Sequence, residues 1–331
     1  MRSPVSPCAG WGHAHSSVEQ AVARQAGRLI HTSNLYQIPL QENLAEQLCE
    51  LSGLDRVFFC NSGAEANEAA IKICRRYAHA QGISSPKIIV MNGSFHGRTL
   101  ATLTATGNPK VKVGFEPLVE GFIHVDYNDI SAVEQVCDKS KDVIAVMLEP
   151  IQGEGGVVVP DPGYLKKIAG LCRDRGLLLV LDEVQTGMCR TGKWFAFQHE
   201  GILPDVMTLS KSLGNGVPIG ACLAREQASA PMTAGSHGTT FGGNPLAASA
   251  ALAVIGSLKQ GRLDQRAAEL GVRMLDGFRK NLAGVKGVRQ IRGLGLMLGI
   301  ELEQNCAELV LAGLQQNILI NVTADKVIRL L

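Results

Sequence analysis

The sequence predicts an α/β protein with a large, mostly parallel α/β/α domain and a smaller C-terminal α+β domain. Short apolar runs alternate with helical segments up to residue 282, which is typical of a parallel sheet with helices on both faces. The chain has 37 glycines in 331 residues, and glycine suits tight turns between strands and helices. After Gly284 the pattern changes to short strands, which indicates a second domain.

The predicted elements follow from periodicity. Continuous apolar runs rich in β-branched residues predict large-domain strands at residues 57–60, 87–91, 143–149, 177–181 and 206–209. Segments with helical periodicity predict helices at residues 42–51, 65–81, 164–175, 245–258 and 263–282. In the small domain we expect strands at 288–291, 295–301 and 328–331, with a helix around 305–316.

Composition excludes several functional classes. The chain has 32 basic and 30 acidic residues, so it carries no charge footprint for nucleic acid or an anionic membrane surface. Its apolar runs are much shorter than the roughly 20 residues of a membrane span. Nine cysteines stand singly without a C-x-x-C pair, so we expect no metal site and a reducing compartment such as the cytoplasm. Residues 1–10 show no secretory signal.

A glycine-containing turn follows the first predicted strand at residues 61–65. Gly63 allows a tight turn, and the free N–H groups of the following helix would form an anion site of the phosphate-binding kind. The alternative is a capping box between Ser62 and Glu65. This segment alone favours the cap, although both interpretations can hold together.

A carboxylate closes the buried strand at residues 177–181. Asp182 would be costly to bury unless it is paired. One interpretation is a turn or helix cap, which is the more common role for such a residue. The other is a carboxylate that meets a cationic ring nitrogen.

Lys211 closes another apolar strand and enters a glycine-rich loop at residues 214–220. Most lysines lie on solvated helix faces, but burial beside another cation would lower the pKa of Lys211 and make it nucleophilic toward an aldehyde. A dinucleotide-binding oxidoreductase is disfavoured, because Pro218 interrupts the glycine pattern and no G-x-G-x-x-G results. A phosphate site, an acid and a Schiff-base lysine are together what pyridoxal phosphate requires.

Longer motifs around these residues resemble the class III (ornithine-type) aminotransferases, which are fold-type I pyridoxal-phosphate enzymes. The resemblance runs from about Gly12 to the last residue. Its motifs are NSGAEANE at 61–68, FHGRT at 95–99, EPIQGEGG at 149–156, DEVQTG at 182–187, the loop around Lys211, and HGTTFGGNP at 237–245. The segment LIHTSNLY at 29–36 and the pair Gly155-Gly156 favour the acetylornithine-type subgroup.

The resemblance implies that the cofactor is pyridoxal 5'-phosphate, with two catalytic residues. Lys211 would hold the cofactor covalently and move a proton during the reaction, while Asp182 would protonate the pyridine nitrogen. The other cofactor contacts would come from Gly63 and Ala64 to the phosphate, Phe95 and Val184 to the ring faces, Gln185 to the phenolic oxygen, and Thr240 to the phosphate in the neighbouring subunit.

The resemblance also implies a set of substrate contacts. Arg98 and Arg329 would bind substrate carboxylates, which the planar fork of arginine matches. Thr239 would contact substrate from the partner chain, and Glu154 would gate Arg329 by pairing with it while the amino donor is bound. The alternative for each arginine is a surface position. We assign no catalytic role to His96, since a lone loop histidine is more often structural.

The implied function is transfer of the terminal amino group of N2-acetyl-L-ornithine to 2-oxoglutarate in arginine biosynthesis, by a homodimer with shared active sites. Succinylornithine, ornithine and 4-aminobutyrate stay open as donors, because the cofactor motifs do not separate them. Family members extend beyond both ends of this chain, so a non-catalytic truncated remnant is another alternative. We assign residues 1–34 to the remainder of an N-terminal segment, 35–258 to the large cofactor-binding domain and 259–331 to an incomplete small domain.

Overall fold

The structure is a computed structural model that describes residues 12–331. Residues 1–11 lie outside the described residues. The prediction of no secretory signal at residues 1–10 and the first part of the predicted 1–34 segment both fall there. Within residues 12–331, no helix combines the length and the apolar composition needed to cross a bilayer.

Seven strands form the central sheet. They are β1 (Arg56–Cys60), β2 (Lys87–Met91), β3 (Phe122–Val125), β4 (Val143–Leu148), β5 (Leu178–Asp182), β6 (Val206–Leu209) and β7 (Gly220–Ala224), in the spatial order β1-β7-β6-β5-β4-β2-β3. Only β7 runs antiparallel to its neighbours, so the other six strands point the same way. Their carboxyl ends meet at one edge, where ligands bind in open α/β sheets.

Helices cover both faces of this sheet. They are α1 (Ser16–Ala26), α2 (Pro39–Ser52), α3 (Gly63–Ala80), α4 (Leu100–Ala105), α5 (Ile130–Lys139), α6 (Tyr164–Arg175), α7 (Glu226–Ser229), α8 (Pro245–Gly261) and α9 (Leu263–Asn281). One apolar core joins the sheet to α2, α6 and α8, and a second joins its other face to α3. Burial on both faces explains why β4, β5 and β6 are apolar throughout.

A second, antiparallel sheet follows α9. Its strands are β8 (Val288–Leu294), β9 (Met297–Leu302), β10 (Asn321–Thr323) and β11 (Val327–Leu330), in the order β10-β11-β9-β8, with α10 (Glu308–Gln315) before β10. The loop that follows β4 packs on this sheet, since Ile151 and Val157 form a small core with Met297. The loop therefore connects the two sheets.

The predicted fold class is confirmed, although some element bounds differ. Helix α3 begins at Gly63 rather than at residue 65, because Ser62 caps it, and β5 extends to include Asp182. The sequence analysis did not predict α1, α4, β3, α5, β7, α7 or β10. Strand β7 reads GACLA, and its glycine and alanines carry little β signal; its place between β1 and β6 makes it a strand. The proposed domain bounds stay a prediction.

Candidate active site

One cavity brings together the residues that follow β1, β5 and β6. Its volume is about 240 Å³. It is lined by Gly63, Ala64, Asn67, Phe95, His96, Gly97, Arg98, Glu149, Asp182, Val184, Gln185, Ser210 and Lys211. The structure thus assembles at one edge of the sheet the turn, the acid and the lysine that the sequence analysis treated separately.

The first turn of α3 presents free backbone donors to this cavity. The Ser62 hydroxyl accepts a hydrogen bond from the Glu65 N–H at 3.2 Å, so Ser62 caps the helix. The reciprocal half of the predicted capping box is absent within residues 12–331, because the Glu65 carboxylate accepts the N–H of Asn61 instead of that of Ser62. No hydrogen bond among the described residues takes up the N–H groups of Gly63 and Ala64. A Cβ atom at Gly63 would lie 2.9 Å from a methyl carbon of Val184, so only glycine lets the two segments approach this closely. The anion-site interpretation therefore also fits the geometry.

Asp182 is buried and held by three groups. Its Oδ2 atom accepts a hydrogen bond from Asn67 Nδ2 at 2.8 Å and lies 2.8 Å from His96 Nδ1. Its Oδ1 atom accepts the Val184 N–H at 3.0 Å, which is the turn-capping bond that the alternative interpretation expected. The Thr208 hydroxyl donates to Asn67 Oδ1 at 2.7 Å and so fixes the amide. A carboxylate oriented in this way can meet a cationic ring nitrogen.

His96 contributes more than the sequence analysis expected. We assigned it no catalytic role, yet its buried ring contacts Asp182 directly, while its Nε2 atom has no hydrogen-bond partner among the described residues. It acts on Asp182, so it is a positioning residue. The FHG motif placed it beside Phe95, but a loop sequence does not reveal which way a side chain points.

Lys211 lies directly after β6 and lines the cavity. Its backbone is left-handed, with φ of 42°, a conformation that costs energy for a residue with a side chain. Burial lowers the pKa of the Lys211 amine below its ordinary value, although attraction to Glu154, Asp182 and Glu149 opposes the shift. The lowered pKa favours the neutral, nucleophilic amine.

Glu149 is a further buried carboxyl on the cavity wall that the predicted site did not include. It accepts hydrogen bonds from the Phe95 N–H at 3.3 Å and the Gly153 N–H at 3.5 Å. Burial raises the pKa of Glu149 well above its usual range, and Asp182 raises it further. Its motif was visible in the sequence, but its burial was not.

Two substrate residues predicted from the resemblance form an ion pair. Arg329 Nη1 donates to Glu154 Oε1 at 2.6 Å and lies 3.4 Å from Gln185 Oε1. Asn321 Oδ1 accepts a bond from Arg329 Nε at 3.1 Å. Burial alone would raise the pKa of Glu154, but attraction to Arg329 and hydrogen bonding with it lower the pKa overall. The pair joins the loop after β4 to β11 of the small sheet.

Arg98 lies at the junction of this cavity with an outer one. Its guanidinium carbon is 5.7 Å from the centroid of the Phe95 ring, and no carboxylate among the described residues pairs with it. The outer cavity has a volume of about 420 Å³ and is also lined by Lys110 and Asp325, whose charged groups lie 2.8 Å apart. Arg98 is therefore a cation available to a ligand in either cavity.

Thr239 and Thr240 do not line their own chain's cavity. Thr240 is exposed, while the Thr239 hydroxyl accepts the Gly242 N–H at 3.2 Å and lies 3.5 Å from Asn61 Nδ2. The roles expected of them at a neighbouring site stay predictions.

The residues in the cavity fit the implied cofactor. Free N–H groups at the start of α3 suit its phosphate, and the held carboxylate of Asp182 suits its ring nitrogen. The amine of Lys211 suits its aldehyde, and Phe95 and Val184 line the same cavity with side chains that can contact a ring.

Comparison with known proteins agrees with this geometry. The chain matches the family Aminotransferase class-III over residues 7–331. Acetylornithine aminotransferase of Nitrosomonas europaea is 53% identical over 329 residues, which cover 99% of this chain and 84% of that protein. The acetylornithine aminotransferase structure from Elizabethkingia anophelis is 34% identical, with a TM-score of 0.86, over 98% of this chain and 81% of its own.

A third relative is the ornithine aminotransferase of Toxoplasma gondii. Its structure has a TM-score of 0.94 at 39% identity, over 98% of this chain and 79% of its own. That crystal structure shows partial occupancy of pyridoxal phosphate at its active site.

Proposed function

The chain belongs to the class-III aminotransferases, and we infer that it transfers the terminal amino group of N2-acetylornithine to 2-oxoglutarate, a step of arginine biosynthesis. The resemblance predicted from the motifs is thereby confirmed at the level of the family. Pyridoxal phosphate, when bound, would supply an aldehyde carbon that carries the amino group from donor to acceptor and a ring that withdraws electrons from the reacting bonds.

The proposal depends on one observation above all. Lys211, Asp182 and the start of α3 line a single cavity together with Arg98, and the guanidinium of Arg329 lies 3.4 Å from Gln185 on the wall of that cavity. We propose that Lys211 bonds to the cofactor and later moves the substrate proton as general base and acid, since burial favours its neutral form. Asp182, held by Asn67 and His96, would keep the ring nitrogen protonated.

The charges of the outer cavity favour an acylated donor. Among the described residues that line it, the carboxylates are Glu154 and Asp325, and both are already paired, with Arg329 and Lys110 respectively. Arg98 carries the unpaired charge in this cavity, so its guanidinium can bind the carboxylate at one end of the donor. The α-ammonium of ornithine would find no unpaired carboxylate there, whereas an N-acyl amide is neutral.

The acceptor requires a second cation. 2-Oxoglutarate carries two carboxylates, and Arg98 supplies one partner for them. We propose that Glu154 leaves Arg329 when the acceptor binds, so that this guanidinium receives the second carboxylate. While the donor is bound, the Glu154–Arg329 pair would be closed, as it is in the structure.

A donor panel tests the substrate assignment. With 2-oxoglutarate as acceptor, kcat/KM for N2-acetylornithine should exceed that for ornithine and for 4-aminobutyrate. Arg98→Gln should lower kcat/KM for N2-acetylornithine by about tenfold or more, because a charge-assisted carboxylate contact is lost. Arg173→Gln is the matched control, since Arg173 is exposed and pairs only with its neighbour Asp174. Equal use of ornithine and its acetylated form would contradict the assignment.

We further propose a homodimer with shared sites. Leu35, Tyr36 and Phe241 are exposed apolar side chains near the Thr239–Thr240 segment, and such groups suit a subunit interface. Asn34 Nδ2 donates to the Thr239 carbonyl at 3.1 Å, which joins the two segments into one surface.

The free cysteines at residues 49–306 suit a cytoplasmic enzyme, since disulfides are rare in the cytoplasm.

A further inference from the structure

The turn that follows Glu154 is attached to the small sheet through one arginine of β8. Arg292 Nε donates to the Val157 carbonyl at 2.8 Å, and Arg292 Nη2 donates to the Gly156 carbonyl at 2.6 Å. The remaining nitrogen pairs with Glu301 of β9 at 2.5 Å. The side chains of both members of this pair are largely buried, at 14% and 12% exposure. Arg292 Nη1 also donates to Gln290 Oε1 at 2.7 Å, so the fork binds two carbonyls of the turn, one carboxylate and one side-chain amide oxygen.

Close packing supports the same attachment. Val157 is fully buried, and a Cβ atom at Gly299 of β9 would lie 3.0 Å from its side chain. Gly156 has φ of 111°, and a Cβ atom there would lie 3.1 Å from Val327 of β11. The Thr323 hydroxyl donates to the Glu154 carbonyl at 2.6 Å. The backbone from Glu154 to Val157 is therefore fixed to the sheet that carries Arg329.

We propose that Arg292 is a positioning residue that keeps the Glu154–Arg329 pair closed until a dicarboxylate binds. This inference rests on the proposed function of that pair. Because the turn is already ordered, Glu154 meets Arg329 without the entropic cost of fixing a loop. Only the Glu154 side chain then has to move when the acceptor arrives. Without Arg292 the turn has to be ordered each time the Glu154–Arg329 pair closes, so the closed pair is less stable. Arg329 is then more available to dicarboxylates.

Binding of glutarate to the holoenzyme measures this availability. Glutarate has the two carboxylates of 2-oxoglutarate but no keto group, so it occupies the site without reacting. Isothermal titration calorimetry gives its Kd directly, without reference to the amino donor. In Arg292→Gln, which loses both carbonyl contacts, we expect Kd to fall by about three- to tenfold. Arg292→Lys, which can keep one contact, should give a smaller decrease.

Arg289→Gln is the matched control. Arg289 of the same strand pairs with the other oxygen of Glu301 at 3.0 Å, and within residues 12–331 it makes no hydrogen bond to the turn. Its substitution should leave the glutarate Kd near that of the unsubstituted protein. A decrease equal to that of Arg292→Gln would assign the effect to general loosening of the small sheet and would overturn the proposal.

A double substitution tests whether Arg292 acts through Glu154. Glu154→Gln removes the closed ion pair directly, so it should lower the glutarate Kd by itself. Adding Arg292→Gln to Glu154→Gln should then cause no further change. Additive effects, or no effect of either Arg292 substitution in a folded holoenzyme, would contradict the proposal. If Arg292→Gln does not fold, Arg292→Lys decides the question.

The two proposals fail in different ways. If the unsubstituted protein does not use N2-acetylornithine, the donor assignment fails, while the glutarate titration still reports on the pair. If the donor is used but glutarate binds Arg292→Gln and Arg292→Lys as it binds the unsubstituted protein, only the role of Arg292 fails.

Discussion

The Nδ1 atom of His96 lies 2.8 Å from Oδ2 of Asp182, and both side chains are almost completely buried. Asp182 Oδ2 also accepts a hydrogen bond from Asn67 Nδ2, and Asn67 Oδ1 in turn accepts one from the Thr208 hydroxyl. A buried carboxyl group without partners is costly, so these hydrogen bonds satisfy Asp182 and fix its orientation. The acid of the site is thus part of a hydrogen-bonded group that spans α3, β5, β6 and the loop after β2.

Substitutions of His96 test whether its ring acts through the hydrogen bond to Asp182 or only by filling space. His96→Asn places an amide N–H where Nδ1 stands, so we expect kcat to stay within about threefold of the unsubstituted value. His96→Phe fills the space without a donor and should lower kcat by about tenfold or more. Asp182→Asn should cause a larger loss, by orders of magnitude, with some cofactor still bound.

The measurements are kcat and the pH dependence of the bound cofactor's absorbance. Equal losses in His96→Asn and His96→Phe would show that the ring supplies packing rather than a hydrogen bond. Near-normal turnover in Asp182→Asn would reduce Asp182 to a turn cap.

Lys211 should be the residue that bears the cofactor. Borohydride reduction of the holoenzyme followed by peptide mass analysis should place the modification on Lys211, because this amine lines the cavity and has a lowered pKa. Lys211→Ala should remove both the reducible attachment and nearly all turnover. Lys193→Ala, at an exposed lysine that donates to the Gln198 carbonyl, is a control that should retain both. Normal activity in Lys211→Ala, with the cofactor attached elsewhere, would exclude the assignment.

Glu183 should make stability depend on pH. Burial raises the pKa of its carboxyl to about 7, although hydrogen bonds from Thr186, Ala196 and Phe197 limit the rise. Between about pH 4.5 and pH 7, Glu183 in the folded protein therefore keeps a proton that the same carboxyl has lost in the unfolded chain. The free energy of unfolding should fall as pH rises from about 4.5 to about 7, by up to about 3 kcal/mol from this group.

Urea unfolding at several pH values measures that slope. Glu183→Gln should be less stable overall, because it cannot accept both backbone N–H groups, but its slope should be flatter. Glu269→Gln, at an exposed helix position, should keep the slope of the unsubstituted protein. An unchanged slope in Glu183→Gln would mean that Glu183 is ionised throughout this range.

Shared sites predict complementation between inactive chains. Lys211→Ala and Thr240→Ala should each be inactive or nearly so alone. In a hybrid dimer both defects fall on one site, because Thr240 serves the partner's lysine, and the other site is intact. Mixed samples should regain part of the activity. Absence of recovery despite proven subunit exchange would place Thr240 in its own chain's site.

The cofactor end of the site could be predicted because its residues follow apolar strands. Asp182 ends β5, Lys211 follows soon after β6, and Gly63 begins the helix after β1, so their order along the chain already indicates one edge of the sheet. The antiparallel insertion of β7 between β1 and β6 could not be predicted, because its small residues carry no strand signal.

Other contacts depend on side-chain direction, which local patterns do not encode. Asn67 faces the cavity from the second turn of an amphipathic helix, and its buried position becomes visible only when α3 packs on the sheet. Arg292 lies on a strand with partly exposed neighbours, and nothing in its sequence indicates that it binds a turn more than a hundred residues earlier. The Glu154–Arg329 contact was expected from the family motif rather than from spacing.

Transfer of labelled nitrogen tests the central claim most directly. The holoenzyme is incubated with N2-acetylornithine carrying 15N at its terminal amine, together with unlabelled 2-oxoglutarate, and the glutamate formed is analysed by mass spectrometry. Lys211→Ala and unlabelled N2-acetylornithine serve as controls. Removal of the terminal amine converts N2-acetylornithine to N-acetylglutamate semialdehyde. We predict 15N-glutamate in an amount equal to this semialdehyde, and no 15N-glutamate from Lys211→Ala. Glutamate without the label, or no glutamate from a folded, cofactor-loaded protein, would contradict the assignment of this chain as an acetylornithine aminotransferase.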